Sequence, residues 1–138
     1  MNEIAVIEKF IVARITADAA LHNLIGGRAF AYQIPAGKAF PAVLFSYLAG
    51  SDRQGTGVTR QMLRARYQIK AVARGALNAS LTQIADRIDE LFQNCAGVAF
   101  DGKTFSSRRE QPVSYREQGG EADLSFRHLG GIYRIDCY

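Results

Sequence analysis

The chain has 138 residues, of which 48% are hydrophobic and 22% are charged, with three prolines and two cysteines. This length suits a single domain spanning residues 1–138, and the composition excludes a disordered chain or a disulfide scaffold. The net charge of +4 permits a polyanionic partner without indicating one, because many ordinary globular domains carry a similar excess. Cys95 and Cys137 are expected to be free, reduced thiols.

The first third of the chain predicts two helical segments and a short strand. Isoleucines recur at helical spacing from Glu3 to Ile15, and the charged residues among them make this segment an amphipathic helix. The same charges exclude a signal peptide and a membrane-spanning helix there. Asp18 is placed to cap a second, short helical turn that the glycines at 26–27 end. A first strand is predicted from Ala29 to Ile34.

Two strands with a long polar segment between them are predicted next. The second strand runs from Phe40 to Tyr47 and the third from Gln61 to Arg74. The third strand alternates strictly, which is typical of a sheet with one buried and one polar face. Its predicted buried positions are Leu63, Ala65, Tyr67, Ile69, Ala71 and Ala73, and its polar positions are Arg64, Arg66, Gln68 and Lys70. The segment from Gly50 to Arg60 is longer than a hairpin turn requires, so it is predicted to be an extended, flexible loop.

The second half of the chain predicts a helix followed by strands. A helical stripe of apolar residues runs from Leu77 to Phe92, and Gly97 is a plausible stop. Strands follow at 103–115, 122–127 and 132–138, with the glycine pair at 130–131 predicting a bulge. The resulting fold class is α+β. A largely antiparallel sheet of four to five strands packs against two main helices, and a long extended loop joins strands two and three.

The sequence contains no motif that predicts catalysis, a metal site or a cofactor. His22 and His128 lie far apart and lack partners at metal-ligand spacing, so each is interpreted as a solvated or packed histidine. The acidic residues 86–90 belong to the exposed stripe of a helix. The glycine clusters lack the spacing of phosphate-binding loops, and Ser106-Ser107 has no histidine partner or elbow glycines. The chain is therefore predicted not to be an enzyme.

A row of basic residues on the third strand is the most distinctive polar feature. Arg64, Arg66 and Lys70 project from one face, at about 6.5–7 Å spacing for residues two apart in a strand. This spacing is close to that of phosphates along nucleic acid, so one interpretation is a surface that meets DNA or an acidic partner. The other is a solvated sheet face that resists aggregation. Because the sequence shows no interleaved aromatics and no nucleic-acid-binding fold, a solvated face or a protein partner is favoured. Arg108, Arg109 and Arg116 belong to a strand whose register the sequence does not give.

The order of these elements, with the segment Phe40-Pro-Ala-Val-Leu-Phe-Ser-Tyr-Leu-Ala-Gly50, resembles the tail terminator or tail completion proteins of long-tailed bacteriophages. The resemblance covers nearly the whole chain, through the terminal strand Tyr133-Arg-Ile-Asp-Cys-Tyr138. It implies a structural virion protein that forms a six-membered ring on the head-proximal end of the tail tube. Its expected partners are copies of itself, the tail tube protein and the head–tail connector or stopper, with possible contact to passing DNA. Assembly is expected in the host cytoplasm.

Two sets of residues are candidates for those contacts. The loop set is expected to meet a neighbouring subunit or the tube, and consists of Arg53, Gln54, Thr56, Val58, Thr59 and Arg60. The basic row, Arg64, Arg66 and Lys70, is expected to pair with a neighbouring subunit or to face the channel. Alternative interpretations are a head–tail joining or stopper protein, a nucleic-acid-binding module that uses the basic strand face, and a small enzyme with an unrecognised pocket.

Overall fold

The structure is a computed structural model that describes residues 2–54, 57, 60–76, 78–118 and 125–138. Over those residues the chain forms three helices and six strands. In chain order they are α1 (Glu3–Thr16), α2 (Ala19–Ile25), β1 (Ala29–Ala31), β2 (Ala42–Gln54), β3 (Arg60–Arg74), α3 (Ala79–Phe92), β4 (Cys95–Phe100), β5 (Lys103–Gln118) and β6 (Ser125–Cys137). No helix in these ranges is long and apolar enough to cross a membrane.

The strands form one mixed sheet in the order β1-β2-β3-β6-β5-β4, which curls into a half-barrel. Every neighbouring pair is antiparallel except β1 and β2, which run parallel. The predicted antiparallel sheet of four to five strands on two main helices is therefore wrong. The prediction missed that β1 pairs in parallel and that Cys95–Phe100 is a strand. The short helix that Asp18 caps was predicted, and it is α2.

The helices pack on one face of the sheet and bury the predicted apolar stripes. In α1, the side chain of Asn2 accepts hydrogen bonds from the Ile4 and Ala5 amides at the N-terminus, which supports the first turn. Phe10 of this helix stacks on Phe105 of β5, with ring centroids 4.2 Å apart and planes 4° from parallel. The alternating strand β3 supplies Ala65, Tyr67, Ile69, Ala71 and Ala73 to the same core, all of them buried.

Helix α3 ends at Phe92, where the predicted apolar stripe also ends. Asn78 caps its start by accepting a hydrogen bond from the Leu81 amide, and Leu77 lies outside the described residues. The chain leaves the helix through Asn94, which has a φ of 58°, a left-handed conformation that asparagine tolerates after a helix. Gly97, the predicted stop, instead lies within β4 at a bulge in its pairing with β5. The residues between Phe92 and the predicted stop therefore include the start of an extra strand at this edge of the sheet.

The hairpin of β2 and β3 replaces the predicted long loop. Strand pairing continues past Tyr47, across a bulge between Tyr47 and Ala49, as far as the pair Gln54↔Arg60. The predicted loop is therefore wrong for residues 50–54, because backbone hydrogen bonding to β3 compensates for the polar, glycine-bearing sequence. Residues 55–56 and 58–59 lie outside the described residues.

The glycine pair at 130–131 lies in an uninterrupted part of β6 and does not form the predicted bulge. Gly130 pairs with both Lys70 and Val113, and Gly131 pairs with Ile69 and Pro112. A Cβ atom on Gly130 would lie 2.3 Å from the Ile69 carbonyl oxygen, so this position requires glycine for close approach of two backbones.

Candidate interaction surface

The face of the sheet opposite the helices, called here the outer face, carries most of the charged side chains of β3, β5 and β6. On β3 it presents Arg64, Arg66, Gln68, Lys70 and Val72, which alternate with the buried core residues. The predicted basic row therefore lies together on this face. Its three members differ in environment.

Arg64 and Arg66 are held in ion pairs within the chain. The Arg64 Nε atom lies 3.0 Å from Oδ1 of Asp136 on β6, and the Arg66 Nε atom lies 2.6 Å from Oε1 of Glu110 on β5. Asp136 also lies 3.6 Å from the Arg134 guanidinium. These pairs neutralise part of the positive charge that the sequence assigned to the row.

Lys70 is buried, at 7% exposure, although it lies on the outer face. Its amino group contacts the Tyr115 hydroxyl and donates to Oε1 of Gln68 at 3.2 Å. The same ammonium lies 4.8 Å from the centre of the Tyr115 ring, which adds a cation–π contact. Lys70 is therefore enclosed by its neighbours and does not present a free cation to solvent.

His128 lies beneath the same tyrosine. The two rings stack with centroids 4.3 Å apart and planes 9° from parallel, and His128 is 4% exposed. Its ring nitrogens are buried and have no hydrogen-bond partner among the described residues. Burial, and then the charge of Lys70, lower the pKa of His128, while Glu117 at 3.9 Å acts in the opposite direction. The prediction of a packed histidine agrees with this placement.

A second row of basic residues crosses the strands and was missed in the sequence. Arg66 on β3 pairs in register with Arg134 on β6, and Arg134 pairs with Arg108 on β5. These three, called here the arginine row, lie on the outer face about 4.8 Å apart from strand to strand. A bulge between Arg109 and Gln111 interrupts the β5 register beside the row, and Glu110 at this bulge reaches Arg66.

The predicted loop residues are separated by the structure. Arg53 and Gln54 are exposed at the end of β2, where a second bulge interrupts the register. Arg60 begins β3, and its side chain is not described. Thr56, Val58 and Thr59 lie outside the described residues, so their predicted role stays a prediction.

The acidic residues of α3 are only partly the solvated stripe that the sequence predicted. Asp89 accepts a hydrogen bond from the Tyr133 hydroxyl at 3.0 Å, and burial together with this carboxylate raises the pKa of Tyr133. Arg87 bridges helices by donating to Asp18 at 2.6 and 2.9 Å, which holds the pKa of Asp18 below its usual range. Within the described ranges no cluster of histidine, cysteine and acidic residues has a metal-binding arrangement.

Comparison with known proteins identifies the family. The sequence pattern of the family described as tail completion protein gp17 matches residues 9–129 of this chain. The chain belongs to this family. The resemblance found in the sequence is thereby confirmed, and the tail completion protein is a structural component of the bacteriophage tail and of the virion.

Two solved structures share the fold. One is a chain in the virion of a native gene transfer agent particle, with a TM-score of 0.59 and 15% identity over 91% of each chain. The other has a TM-score of 0.56 and 17% identity, and covers 98% of this chain and 92% of its own. No curated protein matches the sequence. At these identities the likeness establishes the arrangement of helices and strands.

Proposed function

We propose that this tail completion protein assembles into a ring, of six copies by the family resemblance, that caps the head-proximal end of the tail tube and joins the tail to the head connector. Its partners in this role are copies of itself, the tube protein and the connector or stopper. It acts through surfaces and turns over no substrate, and it assembles in the host cytoplasm before entering the particle.

The observation that carries this proposal is a two-stranded arm at one end of the sheet. The last pair between β3 and β6 is Leu63↔Cys137, whereas β2 and β3 remain paired beyond it through Arg53↔Met62 and Gln54↔Arg60. The described part of this arm therefore extends about 10 Å past the end of β6, at about 3.4 Å per residue. Arg53 and Gln54 are exposed on it.

Such an arm suits assembly for a physical reason. A two-stranded ribbon with no third strand or helix against it is marginally stable in water. Packing of the arm on another subunit or on the tube would supply the missing contacts. A ring also requires a head-to-tail interface built from two different patches, and an arm at one end of the sheet provides one of them. The structural neighbour from the virion of a gene transfer agent particle supports a place for this chain within such a particle.

The basic row offers fewer free cations for DNA contact than the three that the sequence predicted. Arg64 and Arg66 are paired with carboxylates, and Lys70 is enclosed by Tyr115 and Gln68. Non-specific DNA binding depends on several cations that release counterions from phosphates. We therefore assign assembly to the arm and leave channel-facing DNA contact as a minor function of the row.

The test removes the arm without disturbing the rest of the sheet. Residues 53–62 are replaced by Asn-Gly, so that the pair Asp52↔Leu63 closes a two-residue hairpin turn. The register from Leu63 onward stays as it is. In phage that carry this deletion we expect overlong tubes and unjoined heads and tails in electron micrographs. Wild-type tail lengths and joined particles from the deletion would refute the role of the arm.

A further inference from the structure

The arginine row breaks a rule of sheet pairing. Like charges directly opposite each other on neighbouring strands destabilise a sheet, and here Arg66, Arg134 and Arg108 lie opposite one another across three strands. A sequence optimised for stability alone would alternate charges at such positions. Local violations of this kind are expected where a surface has a function.

The chain compensates this repulsion only in part. Glu110 pairs with Arg66, and Asp136 is shared between Arg64 and Arg134. Four arginines thus share two carboxylates on this patch.

Unused donor capacity remains at two positions in the row. Arg108 is exposed and makes no ion pair with any described residue. The Nε atom of Arg134 is buried and has no hydrogen-bond partner in the described part of the chain. A shallow depression of about 260 Å³ lies beside both arginines and is also lined by Ser106, Asn94 and Asp136. A buried, unpaired donor costs free energy, which an incoming acceptor would recover.

We propose that the arginine row binds an acidic, extended segment of a partner protein, with carboxylates of the partner on Arg108 and Arg134. Carboxylates match the guanidinium fork, which explains why arginine rather than lysine occupies all three positions. Acidic side chains two residues apart in an extended segment are about 7 Å apart, close enough to reach neighbouring members of the row. The arrangement of Glu110 on Arg66 shows the geometry that the partner would repeat.

A nucleic acid fits this patch less well. The row spans about 10 Å across three strands, which accommodates two or three anionic groups and not an extended tract of phosphates. The inference concerns one face of a single chain and does not depend on ring formation.

The experiment measures fluorescence anisotropy of a labelled peptide of alternating glutamate and serine, titrated with the full chain at low ionic strength. The same peptide with glutamine for glutamate, and a labelled DNA duplex, are measured beside it. Arg108→Gln and the double variant Arg108→Gln/Arg134→Gln test the row. Arg116→Gln is the matched control, because Arg116 is exposed on the same strand but lies outside the row. Thermal melting checks that each variant folds.

We expect the acidic peptide to bind more tightly than its glutamine version. Arg108→Gln should weaken binding by about fivefold, as for one exposed charge pair. The double variant should weaken it by more than about tenfold, because Arg134 is partly desolvated. Arg116→Gln should leave the affinity unchanged.

Absence of peptide binding would overturn the inference, and so would a double variant that binds the peptide as tightly as the wild type does. So would duplex DNA that binds more tightly than the peptide and loses affinity in the same variants. If Arg134→Gln prevents folding, the exposed Arg108→Glu substitution provides the same test alone.

Discussion

Replacing Gly130 with alanine is expected to destabilise the protein by about 2–3 kcal/mol, whereas the same change at Gly131 should alter its stability by about 1 kcal/mol or less. The two glycines are adjacent in β6 and point to opposite faces. A Cβ atom on Gly130 would lie 2.3 Å from the Ile69 carbonyl oxygen and 2.5 Å from the Lys70 Cα atom. Both are backbone atoms of β3, so the clash is relieved only if the two strands move apart.

The magnitude follows from what such a movement would do. To restore ordinary contact distances, β3 and β6 would have to move apart by nearly an ångström. This movement stretches the hydrogen bonds between the two strands, which contribute about 0.5–1.5 kcal/mol each. Overpacking against a rigid neighbour typically costs about 1–3 kcal/mol. Alanine also has less conformational freedom than glycine in the unfolded chain, and this difference stabilises the folded state by about 0.4–1 kcal/mol. The net cost at Gly130 should therefore be about 2–3 kcal/mol.

Gly131 differs because its closest neighbour is a flexible side chain. A Cβ atom there would lie 2.7 Å from Cδ of Arg109, which can change rotamer, and 3.1 Å from the Gln111 carbonyl oxygen. The Arg109–Asp89 pair at 3.6 Å is partly exposed, and losing it costs about 0–1 kcal/mol. We expect Gly131→Ala to lie within about 1 kcal/mol of wild type. Urea denaturation of both variants measures the difference. Equal free energies of unfolding, or a neutral Gly130→Ala, would refute the close packing of β3 on β6.

Three further changes test the core, a helix cap and a buried histidine. Phe10→Ala should lower the free energy of unfolding by about 3–5 kcal/mol, because it removes the ring stacked on Phe105; a loss below about 1 kcal/mol in urea denaturation would contradict this packing. Asp18→Ala should cost about 1–2 kcal/mol near neutral pH, since Asp18 both caps α2 and binds Arg87. Because the pKa of Asp18 is lowered in the folded protein, the wild type loses this contribution as pH falls below about 4. The free energies of unfolding of wild type and Asp18→Ala should therefore converge in acid. A difference that stays constant with pH would contradict a role for the Asp18 charge. The pKa of His128 is lowered by burial, so the unfolded chain takes up a proton before the folded one and stability should decline as pH falls below about 6.5. His128→Phe should remove that decline when urea unfolding midpoints are measured from mildly acidic to neutral pH. The control His22→Gln, at an exposed position, should retain it. A His128→Phe midpoint that depends on pH as strongly as that of the wild type would contradict the buried placement.

The sequence predicted the elements whose signals are local. The isoleucines of α1, the apolar stripe of α3 and the alternation of β3 each depend on residues a few positions apart, and the structure contains all three. The polar stretch from Gly50 to Gln54 misled the prediction, because its composition is typical of a loop whereas its hydrogen bonds come from pairing with β3. Strand β4 was missed because Gly97 indicated an end to structure.

The candidate site required long-range register, which a single sequence does not contain. Arg66, Arg134 and Arg108 are separated by 26 residues or more along the chain and meet only because β6 lies between β3 and β5. The enclosed state of Lys70 likewise depends on Tyr115, which is 45 residues away. Alternation in β3 placed Lys70 on the correct face of the sheet but could not show that another strand's side chain would cover it.

The most direct test of the account is cryo-electron microscopy of the purified chain together with tail tubes. We predict a closed ring on one end of each tube, with the β2–β3 arm at the contact between neighbouring subunits or between ring and tube. A chain that stays monomeric and leaves both tube ends bare would contradict the account.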